Sequence, residues 1–149
     1  MGRRTVVAAA MVAAACSGGG ASGTFDLPDA DTARTGSAYI ARVVADAEGD
    51  DLAEGAGEHV VLRHDLDIRN DLGGWWLEDA QGNRLNVGIG TQIDPGAELR
   101  VHTACGENSD EAVFNCLDTE VLDDDGDVLV LRDAAGAEVH RFAYGDAAE

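Results

Sequence analysis

The segment spanning residues 71–83 constrains the fold of this chain more than any other. It places the pair Gly73-Gly74 directly before a strand-like run at residues 75–78, which ends in a polar turn. A second turn at residues 93–96 combines a proline, which fixes φ, with a glycine, which accepts positive φ, and it leads into another strand-like run. Short strands separated by such turns indicate an all-β domain and not a helical one.

Several other short segments have strand character, because they are β-prone, apolar or alternating. They are residues 39–44, 60–62, 64–69, 84–87, 128–131 and 138–144. The run at residues 64–69 alternates polar and apolar residues with period two, as expected for a half-buried strand. From residue 39 on, no apolar stripe of helical period lasts more than two turns. The pattern predicts an immunoglobulin-like β-sandwich with about seven to eight short strands.

The order of the motifs between residues 39 and 146 resembles that of the lamin-tail domain, an immunoglobulin-like module that also occurs in secreted prokaryotic proteins. The residues that carry this core signature are Leu72, Gly74, Trp75, Pro95, Gly96 and Gly126. The resemblance implies a domain over residues 38–146, with a short tail at 147–149. It also implies no catalytic residues and no cofactor, because the family offers none to transfer.

The N-terminal residues read as an export signal. A basic start containing Arg3 and Arg4 precedes an uncharged run of 11 residues, which is too short to cross a bilayer as a helix. Residues 13–16, Ala-Ala-Ala-Cys, resemble the cleavage box of prokaryotic lipoproteins, in which the cysteine becomes lipidated. We therefore expect a signal peptide at residues 1–15 and a lipid on Cys16; the alternatives are ordinary secretion and twin-arginine export.

Residues 16–37 are mostly small and polar, and they predict a flexible tether. Together with lipidation of Cys16, this places the domain at the extracellular face of the cell membrane, in contact with the membrane through its lipid anchor only. Free secretion is the alternative localisation.

The chain is strongly acidic. It has 29 acidic residues, ten basic residues that are all Arg, and a net charge of −19, which becomes −21 once Arg3 and Arg4 are removed. Such a surface repels phosphates, so a nucleic-acid partner is not expected. The acidity indicates either a salt-rich environment or a high-GC genome, which favours Arg over Lys; the sequence leaves both open.

Cys105 and Cys116 form an even pair once Cys16 is assigned to the lipid. Outside the cell such a pair predicts a disulfide, and closing a loop of about 12 residues contributes roughly 3 kcal/mol in the chain-entropy model. Free thiols and a metal or catalytic site are the alternatives. The polar loop between the two cysteines is expected to be mobile without the bond.

Trp75 and Trp76 are neighbours in a strand and therefore point to opposite faces. Trp75 is expected in the core, and Trp76 on the outside is the candidate binding residue, suited to stacking on a sugar ring or a partner. The alternative for Trp76 is cover by the tether or by a neighbouring strand.

Two acidic clusters, at residues 46–51 and 123–127, have oxygen ligands of the kind that Ca²⁺ takes, although solvated hairpin turns are the favoured explanation. His59, His64 and His102 could meet across strands, but a zinc site needs three or four ligands in tetrahedral geometry. We therefore predict no metal site, with a Ca²⁺-binding surface domain as the weak alternative.

The sequence predicts a non-enzymatic, monomeric domain that binds or scaffolds an unknown protein or a surface polymer. Ser37 and Ser109, the serines of the folded region, lack the context of a nucleophile elbow. The alternatives are an accessory module that positions a separately encoded extracellular hydrolase and, less favoured, a small hydrolase or metal-dependent enzyme.

Overall fold

The computed structural model describes residues 23–26 and 38–148, which form β-strands joined by turns and loops. The strands are β1 (Thr24–Asp26), β2 (Ala38–Val44), β3 (His59–His64), β4 (Asn70–Asp71), β5 (Trp76–Glu78), β6 (Arg84–Asn86), β7 (Gln92–Ile93), β8 (Leu99–His102), β9 (Ala112–Phe114), β10 (Gly126–Arg132) and β11 (Glu138–Gly145). A short 3₁₀ helix follows at Asp146–Ala148. Within these residues, no helix is both long and apolar enough to cross a membrane.

Two sheets pack face to face. The first has five strands in the order β1-β2-β3-β8-β9, and the second has four in the order β11-β10-β5-β6; β4 and β7 form a separate two-stranded ladder. All pairs are antiparallel except β8 with β9, which run parallel. The predicted all-β, immunoglobulin-like sandwich is confirmed.

The core lies between the two sheets and is built from the inward side chains of both. Leu62 and Leu99 come from the five-stranded sheet, and Leu77, Leu129 and Leu131 from the four-stranded sheet; each is at most 1% exposed. Burying one such side chain stabilises the fold by about 1.5–3 kcal/mol. Because side chains alternate along each strand, the outward-facing side chains of both sheets do not contribute to this core.

A buried histidine joins the two sheets. The register of β2 against β3 shifts between Ile40 and Arg42, where β2 bulges. Here the Ile40 N–H donates to Nδ1 of His140, at 2.9 Å, and the His140 side chain is fully buried. Because Nδ1 accepts this bond, it carries no proton, so the imidazole supplies the acceptor that the irregular strand needs.

A buried carboxylate fixes the loop that follows β9. Glu58 is fully buried, and its Oε1 accepts hydrogen bonds from Thr103 Oγ1 at 2.5 Å and from the Val121 N–H at 2.6 Å, while the Leu122 N–H also donates to it. Burial raises the pKa of Glu58, and these hydrogen bonds oppose the rise. Glu58 therefore holds the end of the loop against the start of β3.

The core signature residues lie where strands meet turns. Leu72 is fully buried, and Trp75 is partly buried and packs against the core. Gly126 has φ 135°, and a Cβ placed on it would lie 2.5 Å from the Tyr144 carbonyl oxygen, so a larger residue does not fit there.

The other three signature residues, Pro95, Gly96 and Gly74, lie in turns or pack against one. Pro95 and Gly96 occupy a turn closed by the Ala97 N–H, which donates to the Asp94 carbonyl at 3.0 Å. Gly74 has φ 81°, and a Cβ there would approach that of Ala134 to 3.3 Å.

The predicted strand at residues 64–69 is wrong beyond its first residue. β3 ends at His64, and Leu66 and Ile68 are 39% and 69% exposed. The His64 side chain turns the chain away from the sheet, because its Nδ1 accepts from the Leu66 N–H and its Nε2 donates to the Asp94 carbonyl oxygen. Alternation alone did not make a strand here.

The sheet also extends into the segment expected to be a tether. Thr24–Asp26 form β1 and pair with β2, and the Phe25 ring packs on Tyr144 with centroids 4.8 Å apart. This part of residues 16–37 therefore belongs to the sandwich. The expected signal peptide, Cys16 and the rest of the tether lie outside the described residues.

Candidate binding surface

A row of cross-strand neighbours runs across the outer face of the five-stranded sheet. Thr24, Val44, His59, His102 and Phe114 stand side by side on β1, β2, β3, β8 and β9. Their neighbours along the chain, among them Val43, Val60, Val101 and Val113, point into the core. The row therefore faces away from the core, and its members line one surface cavity of about 470 Å³.

The middle of this row is an aromatic stack. The rings of His59 and His102 have centroids 4.6 Å apart, and His102 stacks on Phe114 at 4.5 Å with an angle of 12° between the planes. A Cβ on Gly106 would lie 2.6 Å from the Phe114 ring, so the backbone at Gly106 packs closely against that ring. Only a glycine permits this approach.

The predicted disulfide is present in the structure and holds this arrangement together. Cys105, next to Gly106, is bonded to Cys116, two residues after Phe114. The loop between them is not wholly irregular, because it contains β9, which pairs in parallel with β8. Phe114 and Gly106 were not predicted to belong to a surface, because their position between the two cysteines is the only sequence signal for them.

Backbone carbonyls fix the tautomers of the two stacked histidines. Nδ1 of His59 lies 2.9 Å from the Gly57 carbonyl oxygen, and Nδ1 of His102 lies 3.0 Å from that of Ala56. A carbonyl oxygen can only accept, so Nδ1 carries the proton in both rings and, in the neutral form, Nε2 has a free lone pair.

Both rings are neutral at neutral pH. Burial is the largest cause that lowers the pKa of His59, and it lowers the pKa of His102 to about 4. His59 also disfavours a charge on its neighbour and is the second cause of the pKa shift at His102. The surface therefore presents uncharged imidazoles.

Charged side chains surround the cavity. Asp46 and Glu48 line it from the loop after β2, and Arg100 lines it from β8. Arg100 also lies 4.0 Å from the Glu111 carboxylate. The rim is thus acidic on one side and mixed on the other, around an aromatic centre.

The structure brings the two acidic clusters together. Carboxylate oxygens of Asp46, Asp51 and Asp124 all lie within 4.8 Å of one another, with Asp46 and Asp124 exposed. Burial, followed by repulsion from Asp51 and Asp46, raises the pKa of Asp124. Two loops that the sequence treated separately therefore form one concentration of negative charge.

The candidate binding residue Trp76 lies on the other sheet. The Arg84 guanidinium lies 4.4 Å from the centre of the Trp76 ring, and Nε1 donates to Glu78 at 3.5 Å. The side chain is partly buried, and one face of the ring is covered by Arg84 from neighbouring β6. Stacking on a partner there requires Arg84 to move, or the partner to bind the uncovered part of the ring.

The three histidines considered for zinc do not meet. His59 and His102 are cross-strand partners, whereas His64 stands at the other end of β3 and bonds to the Asp94 carbonyl. A three-histidine zinc site is therefore excluded, and only His59 and His102 of the three lie side by side.

The two packed sheets and the apolar core between them define an immunoglobulin-like sandwich, and the candidate binding cavity lies on the outer face of one sheet. The family model of the Lamin Tail Domain matches residues 31–146, and the chain belongs to this family. No curated protein shows significant similarity to the chain. The family is one of non-enzymatic, immunoglobulin-like domains, and membership supports a binding or scaffolding role at that level.

Proposed function

We propose that the chain is a non-enzymatic lamin tail domain that binds or scaffolds another component at the outer face of the cell membrane, anchored by a lipid on Cys16. The family match over residues 31–146 is the observation that carries the binding role. The basic start, the short apolar run and the Ala-Ala-Ala-Cys sequence support the anchor.

The position of β1 limits how far the domain can lie from a lipid on Cys16. Cys16 and Thr24 are eight positions apart, and a fully extended chain of that length spans at most about 28 Å. A lipid on Cys16 would therefore keep the β1 edge of the sandwich close to the headgroups. The partner is then another envelope protein or a polymer that lies near the membrane surface.

Changing Cys16→Ala tests the anchor. We expect the wild-type chain in the membrane fraction, with a mass that includes the lipid, and the variant in the soluble fraction. Ser17→Ala is the matched control, and it should remain with the membranes. A Cys16→Ala variant that is still retained with membranes would contradict the anchor.

Crosslinking in intact cells, followed by affinity purification of the domain, tests the binding role. We expect one envelope protein or polymer to be captured, and capture to weaken when Phe114, which lines the cavity, or the partly buried Trp76 is changed to Ala. Co-purification of a hydrolase would favour the accessory role instead. Hydrolysis by the purified domain alone would overturn the non-enzymatic assignment.

Ca²⁺ binding is the second candidate function, favoured by the convergence of Asp46, Asp51 and Asp124. Oxygen-only ligands from two loops suit this ion, and a bound cation would relieve the repulsion among the three carboxylates. Calorimetry should give heat with Ca²⁺ for the wild type and for Asp67→Asn, an exposed aspartate outside the cluster, but not for Asp124→Asn. Absence of heat at millimolar Ca²⁺ excludes this function.

A further inference from the structure

The imidazoles of His59 and His102 are arranged as a pair of ligands. Each ring has its Nδ1 proton bound by a backbone carbonyl, and, in the described part of the chain, no hydrogen bond involves either Nε2. Both residues line the same cavity. We propose that His59 and His102 bind a divalent transition-metal ion of the Zn²⁺, Co²⁺ or Ni²⁺ class through Nε2 on the outer face of the five-stranded sheet.

The hydrogen bonds to Gly57 and Ala56 are of the kind that metal-binding histidines use. A ligating imidazole commonly donates its other N–H to a carbonyl or carboxylate, which fixes the tautomer and the ring orientation and raises the basicity of the ligating nitrogen. Here both cross-strand partners, His59 and His102, donate an Nδ1–H to a carbonyl of the same loop. The structure thus already holds both rings in the tautomer that a metal needs.

The spacing of the rings suits a shared ion. With metal–nitrogen bonds of about 2.1 Å, two imidazoles on one ion at angles of about 90° to 110° have centroids roughly 4.6 to 5.3 Å apart. The observed separation is 4.6 Å, and the planes are inclined by 37°. The separation of this cross-strand pair therefore lies at the lower end of the range for two rings on one ion.

The charge around the pair is mixed, because Arg100 lines the same cavity as Asp46 and Glu48 and disfavours a positive charge on both rings. The carboxylates of Asp46 and Glu48 line the same cavity and can complete a mixed nitrogen and oxygen ligand set together with water. Among the described residues, the preassembled trio of possible ligands is Asp46, Asp51 and Asp124, so the carboxylates must move to join the histidines. We therefore expect binding in the micromolar range and not the tighter binding of a closed structural site.

Protons compete weakly for these nitrogens. Because the pKa of His102 is about 4 and that of His59 is also lowered, neither ring has to lose a proton before it binds a metal at neutral pH. This site does not depend on the anchor or on the partner proposed above.

Calorimetry of the chelator-treated full chain with Zn²⁺ and with Ni²⁺ alone tests the proposal. We expect one ion per chain, and a loss of affinity of at least tenfold in His59→Gln and in His102→Gln. Asp67→Asn is the matched control: it removes an exposed carboxylate outside both the cavity and the acidic trio, and it should leave Zn²⁺ affinity within twofold. Equal affinity of the wild type and both histidine variants would overturn the proposal.

A spectroscopic readout on the wild type keeps the test valid if a histidine variant fails to fold. In long-range ¹H–¹⁵N spectra, Zn²⁺ should shift the Nε2 resonances of His59 and His102 and leave both Nδ1 atoms protonated. The resonances of His64 and His140 should stay in place. Saturation with Zn²⁺ that leaves both Nε2 resonances unmoved would show that the ion binds elsewhere, and the proposal would fail.

Discussion

Individual residues of this domain stabilise it through polar contacts that the apolar pattern does not reveal. Glu58 and His140 are both fully buried, and each satisfies backbone N–H groups that have no partner in a strand ladder. His64 ends β3 in a similar way, through the Leu66 N–H. Side chains that accept from the backbone therefore define where strands bulge, end and meet loops.

Removal of the Glu58 carboxylate should be costly. Glu58→Ala leaves the buried N–H of Leu122 and the N–H of Val121 without their acceptor, and we expect a loss of about 2–4 kcal/mol in the free energy of unfolding. Glu58→Gln keeps one oxygen as acceptor and should cost about 1 kcal/mol or less. Urea unfolding at pH 7 measures both, with exposed Glu107→Ala as the control. Equal losses for Ala and Gln would contradict this role.

The pair of histidines predicts an acid-sensitive fold. The pKa of His102 falls from 6.5 to about 4 on folding, so between these values the unfolded chain binds more protons than the folded one. Its contribution to stability is therefore full above pH 6.5 and is lost as the pH falls toward 4. Glu58, whose pKa is raised, acts in the opposite sense at low pH.

A comparison of variants isolates the effect of His102. The melting temperature of the wild type should fall by on the order of 5 °C or more between pH 7 and pH 5. His102→Phe retains a ring against Phe114 but does not titrate, so its melting temperature should depend less on pH over the same range. A variant whose slope matches that of the wild type would show that His102 is not responsible.

At the scale of elements, the sequence predicted the strands that have a clear period or a long apolar run. β2, β3, β10 and β11 follow from their residues, since each has six to eight residues and an alternating or apolar pattern. β1, β4, β7 and β9 have only two or three residues, and their pairing is decided by tertiary contacts, not by a local pattern.

The candidate surface was predictable only in its parts. His59, His102 and both acidic clusters were recognised as candidates, but their grouping depends on the register of β3 with β8 and on how two loops fold back. The stack on Phe114 depends on the parallel pairing of β8 with β9, for which the sequence has no signal. A disulfide prediction identifies two linked residues but not the strand between them.

The disulfide should stabilise β9 more than any other element. Replacing both Cys105 and Cys116 by Ala removes a cross-link that contributes roughly 3 kcal/mol in the chain-entropy model. We expect a melting temperature lower by roughly 10 °C and faster amide exchange at β9. Cys16→Ala is the matched control, because it removes the remaining cysteine and leaves the disulfide in place. Unchanged exchange at β9 would contradict the proposed role of the bond in the aromatic stack.

At the scale of the whole molecule, negative charge exceeds what the fold can neutralise. Ten arginines face 29 acidic side chains, and the ion pairs seen, such as Arg42 with Asp26 and Arg69 with Asp94, are largely exposed. Exposed pairs contribute at most about 1 kcal/mol each. The net repulsion remains, and it is concentrated where Asp46, Asp51 and Asp124 meet.

This repulsion predicts a fold that salt stabilises. The Debye length falls from about 30 Å at 0.01 M to about 3 Å at 1 M, so carboxylates of different loops cease to repel one another over that range. We expect the melting temperature to rise by on the order of 5–10 °C between 0.01 and 1 M KCl, with most of the rise below 0.5 M. Asp124→Asn, which removes one charge from the cluster, should reduce the rise, whereas exposed Asp67→Asn should leave it nearly unchanged. A melting temperature equal at low and molar salt would instead favour genome composition as the origin of the acidic surface, because selection for a salt-rich environment would then leave no trace in stability.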